Sequence, residues 1–192
     1  MAHGGLRDHL GGGFHRYATD ERWFLPHFEK MLYDNAQVIR CLADAWLFTR
    51  HNQYRRWAVE ACEWLLRDLR TPDGGFRASV DADSEDGEGR YYLWTRAELL
   101  EVLGSAEGEF FCGAYGVRQE GNIRDPAGES AGRNVLHLPR SLAEISPATG
   151  LGLAALDERL TAARRKLLAR RAQRVPPAAD DKIIAAWNGL AV

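Results

Sequence analysis

Two helical stripes joined by a two-residue link constrain the fold most. From His27 to about Arg50 the apolar residues Met31, Leu32, Ile39, Leu42, Trp46 and Leu47 recur at helical spacing. From about Gln53 to Arg70, Trp57, Ala58, Ala61, Leu65 and Leu69 form a second stripe. Only His51-Asn52 lies between them, so the two helices run antiparallel. Pro26 suits the first turn of the first helix, where its missing N–H costs nothing. Thr71-Pro-Asp-Gly-Gly75 stops the second.

A Gly-Gly-Phe corner stands at 12–14, before the first helix, and again at 74–76, after the second, an offset of 62 residues. Both copies lead from a glycine turn through an extended arm to acidic and aromatic residues and then a helix. Such a period with paired helices points to stacked helical hairpins, and the chain has room for about three. With Phe14 aligned on Phe76, His15 falls opposite Arg77, Tyr17 opposite Ser79, and Thr19 opposite Asp81. Alternate residues of an extended chain share a face. His15 and Tyr17 are therefore expected to point into the same space as Asp81 and Asp83.

Residues 76–94 read as a β-hairpin with an acidic turn near Asp86-Gly87. Thr95 is a natural N-cap for a helix to about Leu103, and Glu98 completes a capping box. Further helices are expected at about Ala106–Tyr115 and Leu153–Gln173, the latter along the seam Leu153, Leu156, Leu160, Ala163 and Leu167. Residues 116–151 read as loop, apart from a short strand at Asn134–His137. Asp180-Asp181-Lys182 opens a last helix that carries Trp187, Asn188 and Leu190. The basic residues from Arg159 to Arg174 read as a solvated helix face.

A net charge of −2 gives no global reason to expect nucleic acid. No apolar run reaches the roughly 18–20 residues that span a bilayer, and the N-terminus lacks the pattern of a secretory leader. Cys41, Cys62 and Cys112 match neither a disulfide framework nor CxxC spacing. Two of them fall in helical patterns as buried thiols, and a reducing cytoplasm fits them. There is no Walker loop, GxGxxG, HExxH or GxSxG, so no cofactor is expected. An EF-hand fails on Asp86 at the glycine position and Tyr92 where a glutamate belongs, so no metal is expected either.

Asp8 to Asn35 gathers three glycines and three histidines among carboxylates and aromatic rings. His15 and His27 suit proton transfer because imidazole titrates near neutrality, or they bond loop carbonyls. His27, read in the first helical turn, would be kept neutral by the helix dipole, which Glu29 complements. Asp34-Asn35, read as mid-helix, either tethers the glycine loop or faces a cavity. Asp81-x-Asp83-x-Glu85 could bind sugar hydroxyls or supply a general acid or base. Otherwise it is a solvated hairpin that caps turn amides. Tyr91, Tyr92 and Trp94 make a sugar platform or ordinary strand residues.

Leu10-Gly-Gly-Gly-Phe-His-Arg-Tyr17, Pro26-His-Phe-Glu-Lys-Met-Leu-Tyr-Asp-Asn35, Asp81-Ala-Asp-Ser-Glu85, Asn134-Val-Leu-His137, Asp180-Asp-Lys182 and Ala186-Trp-Asn-Gly-Leu190, in that order, resemble one family. It is the thioredoxin-domain-containing, spermatogenesis-associated-protein-twenty-like family. Its members join an N-terminal thioredoxin-like domain to an (α/α)6 toroid similar to six-hairpin glycosidases and N-acylglucosamine 2-epimerases. The resemblance implies an all-α fold, a partial (α/α)6 toroid of helical hairpins with short β-hairpins at the ring mouth. Residues 1–192 are then a fragment of one toroid domain, without the thioredoxin-like domain and the second half of the ring. Its broken hairpin faces are expected to self-associate. The implied function is that of a carbohydrate-active domain, glycosidase-like or sugar-epimerase-like, with a sugar in the axial cavity. His15, His27, Glu29, Asp81, Asp83 and Glu85 are the expected catalytic groups. Arg16, Tyr17, Asp34, Trp94, Asp181, Trp187 and Asn188 are the expected substrate contacts. The alternative is a non-catalytic binding module serving the thioredoxin-like redox domain.

Overall fold

The arm that leads to the first helix is strand. In the computed structural model, which describes residues 1–84, 87–123 and 131–192, β1 (Tyr17–Ala18) pairs antiparallel with β2 (Pro26–His27). β3 (Lys30–Met31) then runs directly into α1 (Leu32–Thr49). Pro26 therefore does not open a helix; its fixed φ serves an edge strand equally well. The Asp20 carboxylate accepts the amides of Arg22, Phe24 and Leu25, and so folds β2 back onto β1. His27 and Glu29 consequently lie outside the helix, and the dipole argument does not apply to them. Asp34 and Asn35 sit in the first turn of α1, not in its middle.

Arg50, in the left-handed conformation at φ 58°, returns its amide to the Trp46 carbonyl and closes α1. α2 (Asn52–Trp64) runs back along α1 and continues through a π-helical turn at Leu65–Leu69. Its stripe buries as the spacing predicts, with Trp57, Ala58, Ala61, Leu65 and Leu69 inside. Cys41 is exposed on α1 and Cys62 half-buried, so of the three thiols Cys112 alone is buried.

The chain is mostly helical, and its strands are short antiparallel pairs. β4 (Ser79–Val80) lies between β3 and the late strand β9 (Ala179–Asp180), with Lys30 and Ala179 both opposite Val80. β5 (Asp83–Ser84) pairs with β6 (Gly87–Glu88), while Glu85 and Asp86 lie outside the described residues. β7 (Trp94–Thr95) pairs with β8 (Arg133–Asn134).

The second helical group is α3 (Arg96–Leu103), α4 (Ser105–Ala114), α5 (Leu142–Thr149) and α6 (Leu153–Arg171). Its core holds Trp94, Leu99, Phe111, Leu156, Leu160 and Leu167. Thr95 and Glu98 form the expected capping box. α5 lies where the sequence reads as loop. Ser141 and Glu144 make a second capping box there, and Leu142 and Ile145 are buried. The helix ends at Gly150 soon after Pro147, too short for its period to stand out.

Three arginines of α6 are ties, while Arg165, Lys166 and Arg170 are exposed as a solvated face would have them. Arg159 is paired with Glu107, and Arg164 approaches Glu60 and Asp157. Arg171 is buried on Asp8. Arg174, beyond the helix, donates to the carbonyls of Arg90, Tyr91 and Leu93 and lies 4.0 Å from the Trp94 ring centre. Asp180 and Lys182 likewise pair with each other and do not cap a helix; α7 (Ala185–Ala191) starts later. Among the described residues, no helix is long and apolar enough to cross a membrane.

The repeated corner reappears as a repeated hydrogen-bond clamp. Phe14 N–H donates to Asn35 Oδ1 at 2.7 Å, and Asn35 Nδ2 donates to the carbonyls of Phe14 and Met31, each at 2.9 Å. Phe76 N–H donates to Asn188 Oδ1 at 2.8 Å, and Asn188 Nδ2 donates to Phe76 O at 3.0 Å and Ile184 O at 3.1 Å. α7 therefore stands to the second corner as α1 stands to the first. The first pair is bridged by a short arm, and the second encloses the α3–α6 group. A groove of about 500 Å³ lies open between α1, the π turn and α7, lined by Ile39, Leu65, Leu66, Phe76 and Leu190.

Candidate functional site

Two groups of polar side chains gather around the first corner, one inside and one at the surface. Inside, Asp8 accepts both guanidinium branches of Arg171, at 2.9 and 2.8 Å, and the Lys30 ammonium at 2.8 Å. The amides of Leu10 and Gly11 also donate to its Oδ1. One carboxylate thus serves two buried cations. The excess positive charge is met by the Gly12 carbonyl, 2.8 Å from Lys30 Nζ. It is also met by the Trp64 and Tyr92 rings, each 5.0 Å from that nitrogen. Burial alone would raise the Asp8 carboxyl, but Arg171 and Lys30 outweigh it and hold it well below the usual range. Burial lowers Lys30 to about 8, against the pull of Asp8. The nearby Arg171 charge adds to that lowering.

His15 belongs to this interior. Its Nδ1 lies 2.9 Å from the Phe28 carbonyl, and its ring meets Phe28 and Tyr92 edge-on. Burial, aided by Lys30, lowers it to about 3. His9, between Arg7 and the Gly4 carbonyl, is also pushed well down, by burial and then Arg7. The cavity beside them, about 20 Å³ and lined by Asp8, His9, His15, Tyr92 and Arg171, has room for about one water. His15 is therefore a neutral packing residue and is not free to shuttle protons to a ligand.

This arrangement has a pH consequence. Both rings stay neutral when folded, whereas an unfolded imidazole takes up a proton near pH 6.5. The unfolded state then binds more protons, so stability falls as the pH drops below about 6.5, by about 1.4 kcal/mol per unit for each ring. Urea midpoints measured from pH 7 down to pH 5 are expected to fall steadily. A flat profile would mean that the folded rings accept protons.

At the surface, the β1–β2 arm meets the β5–β6 hairpin. His27 Nδ1 lies 2.7 Å from Glu88 Oε1, which also accepts the Phe28 amide at 3.2 Å. A carboxylate has no proton to give, so His27 donates from Nδ1 to Glu88. Nε2 lies 3.8 Å from Glu29 Oε2, too far for a direct bond. Glu29 in turn holds Arg16 at 2.8 Å. Tyr17 stacks on His27 with ring centres 4.9 Å apart. Asp34 Oδ2 is buried without a hydrogen-bond partner. Burial pushes that carboxyl up, Arg16 opposes, and Glu29 adds to the push. Asp83 sits directly across the β5–β6 pair from Glu88.

Of the expected site residues, Arg16, Tyr17, His27, Glu29 and Asp34 come together here, with Asp83 on the neighbouring hairpin. The others go elsewhere. Asp81 accepts the Asp83 amide within its own turn. Glu85 is outside the described residues. Trp94 is fully buried beneath Arg174, and Asp181 forms an exposed pair with Arg77. Trp187 packs edge-on against Tyr33, and Asn188 is spent on the Phe76 backbone. His15 and Tyr17 do not share a space, because the arm turns between them: one ring is buried and the other is 49% exposed. Sequence reasoning missed Glu88. A turn read near Asp86-Gly87 does not put 88 opposite 83, the register that the strand pairing has. Asp8, Lys30 and Arg171 carry no such signal.

These features define a mostly helical protein in which two acid-bearing strand hairpins flank one histidine. No protein-family model matches the chain. It is similar to spermatogenesis-associated protein 20 of Homo sapiens (41% identity) and of Mus musculus (40%), matching along its whole length and spanning 27% of each. An uncharacterized protein of Caenorhabditis elegans is 31% identical, with 29% of its length covered. The chain thus spans little more than a quarter of the curated relatives it matches.

Proposed function

We propose that Arg16, Tyr17, His27, Glu29, Asp34 and Glu88 form the sugar-binding, proton-moving face of a carbohydrate-active domain, glycosidase-like or sugar-epimerase-like. The observation that carries this reading is the Glu88–His27 pair. A carboxylate on Nδ1 fixes the ring's tautomer and leaves Nε2 without a direct hydrogen bond, 3.8 Å from Glu29, as a proton-moving group requires. Arg16 supplies donors for hydroxyl oxygens, Glu29 supplies an acceptor, and Tyr17 supplies an apolar ring face. In this reading the chain is part of one (α/α)6 toroid in a longer protein with a thioredoxin-like domain. The clamped corners support stacked hairpins, and the groove beside α7 is where a further helix of the ring would lie.

The test is product NMR and thermal shift on the full-length protein with glucose, mannose, N-acetylglucosamine and their disaccharides. His27→Gln is expected to lower turnover at least about 100-fold with folding intact. No product and no shift with any sugar would remove the carbohydrate reading.

A second reading, a non-catalytic module serving a thioredoxin-like redox domain, is favoured by the engagement of His15, Asp81 and Asn188 with nearby backbone. It expects redox activity to be unchanged in His27→Gln.

A further inference from the structure

The tip of the β1–β2 arm carries an unexplained conformation. Trp23 has φ 59°, in the left-handed region that bulky side chains avoid. Its ring is 46% exposed. The loop around it is held from both sides. Asp20 gathers the amides of Arg22, Phe24 and Leu25, and Phe24 packs edge-on against His137 at 4.8 Å. Gly4 backs the loop so closely that a Cβ there would lie 2.1 Å from the Trp23 carbonyl oxygen. The turn is therefore rigid, and glycine would adopt its backbone without strain. Tryptophan occupies it instead, with nearly half of its surface exposed. Backbone strain kept by a bulky side chain that is nearly half exposed points to a function.

We infer that Trp23 is the stacking platform for a sugar ring of an oligosaccharide whose neighbouring ring lies at His27. This inference rests on the carbohydrate reading of the His27 face. Trp23 and His27 are four residues apart on one arm, so their Cα atoms lie within about 14 Å, close enough for one oligosaccharide to reach both side chains. The flat indole complements the apolar face of a pyranose, and Tyr17, stacked on His27, offers a second ring on the same arm. The site is thus one for a disaccharide or longer chain, with its reacting ring at His27 and the adjoining ring on Trp23.

The test is calorimetric titration of the full-length protein with maltose, cellobiose and N,N′-diacetylchitobiose, and with their monosaccharides, in wild type, Trp23→Gly and Trp23→Phe. Trp23→Gly is expected to bind the recognised disaccharide about tenfold more weakly, to leave monosaccharide binding unchanged, and to melt at an equal or higher temperature. Trp23→Phe should keep most of the affinity. Unchanged disaccharide binding in Trp23→Gly would overturn the platform and leave the His27 reading standing. A lower melting temperature in Trp23→Gly would also overturn it, by showing that the indole packs on protein. If the wild type binds no saccharide at all, the platform and the His27 reading fall together.

Discussion

Asp8→Asn is expected to lower stability by about 3–5 kcal/mol, a large share of the roughly 5–15 kcal/mol that holds a typical domain folded. The substitution removes the one charge that Lys30 and Arg171 share. Both cations are buried, and among the described residues neither has a second carboxylate at salt-bridge distance. Breaking a buried ion group by removing one partner costs far more than the net worth of the group, because desolvated charge is left uncompensated. Lys30→Met should cost much less. Arg171 would keep both Asp8 oxygens, and the methionine stem would lie between the Trp64 and Tyr92 rings that now face the ammonium. The double variant Asp8→Asn/Lys30→Met should recover part of the loss. Urea midpoints measure all three. An Asp8→Asn no less stable than Lys30→Met would show that the interior charge is already met by other groups.

Asn35→Ala comes next, at about 2–4 kcal/mol, because it strands both the amide and the carbonyl of Phe14 in a dry interior. Asn188→Ala breaks bonds of the same geometry at Phe76. Phe76 is only half-buried and borders an open groove, so water can replace the lost partner. The expected cost there is about 1 kcal/mol. The comparison isolates burial, since donors, acceptors and helix position are alike at the two corners. Equal losses would mean that the second corner is covered in solution.

The helical hairpin was legible because its periodicity is long and its link short, and Thr95 was legible because a capping box is a local device. Pro26 misled because its φ suits a helix start and an edge strand alike. The carboxylate that decides between them, Asp20, acts through a turn whose amides carry no sequence mark. α5 was hidden by its brevity. Arg159, Arg164 and Arg171 looked solvated because their partners, Glu107, Glu60 and Asp8, are far away in the chain. Within the candidate site the sequence named His27 and Glu29, but Glu88 followed only from the cross-strand pairing.

By itself, the sequence determined the elements whose causes are local: the paired helices, the capped helix at Thr95 and the recurrence of Gly-Gly-Phe. Only the tertiary structure decided which polar groups are spent and which are available. His15 and His27 are chemically the same residue in the same arm, yet one is held neutral in the interior while the other faces solvent with a carboxylate behind it. That division depends on burial and on partners dozens of residues away, and local pattern carries no record of either.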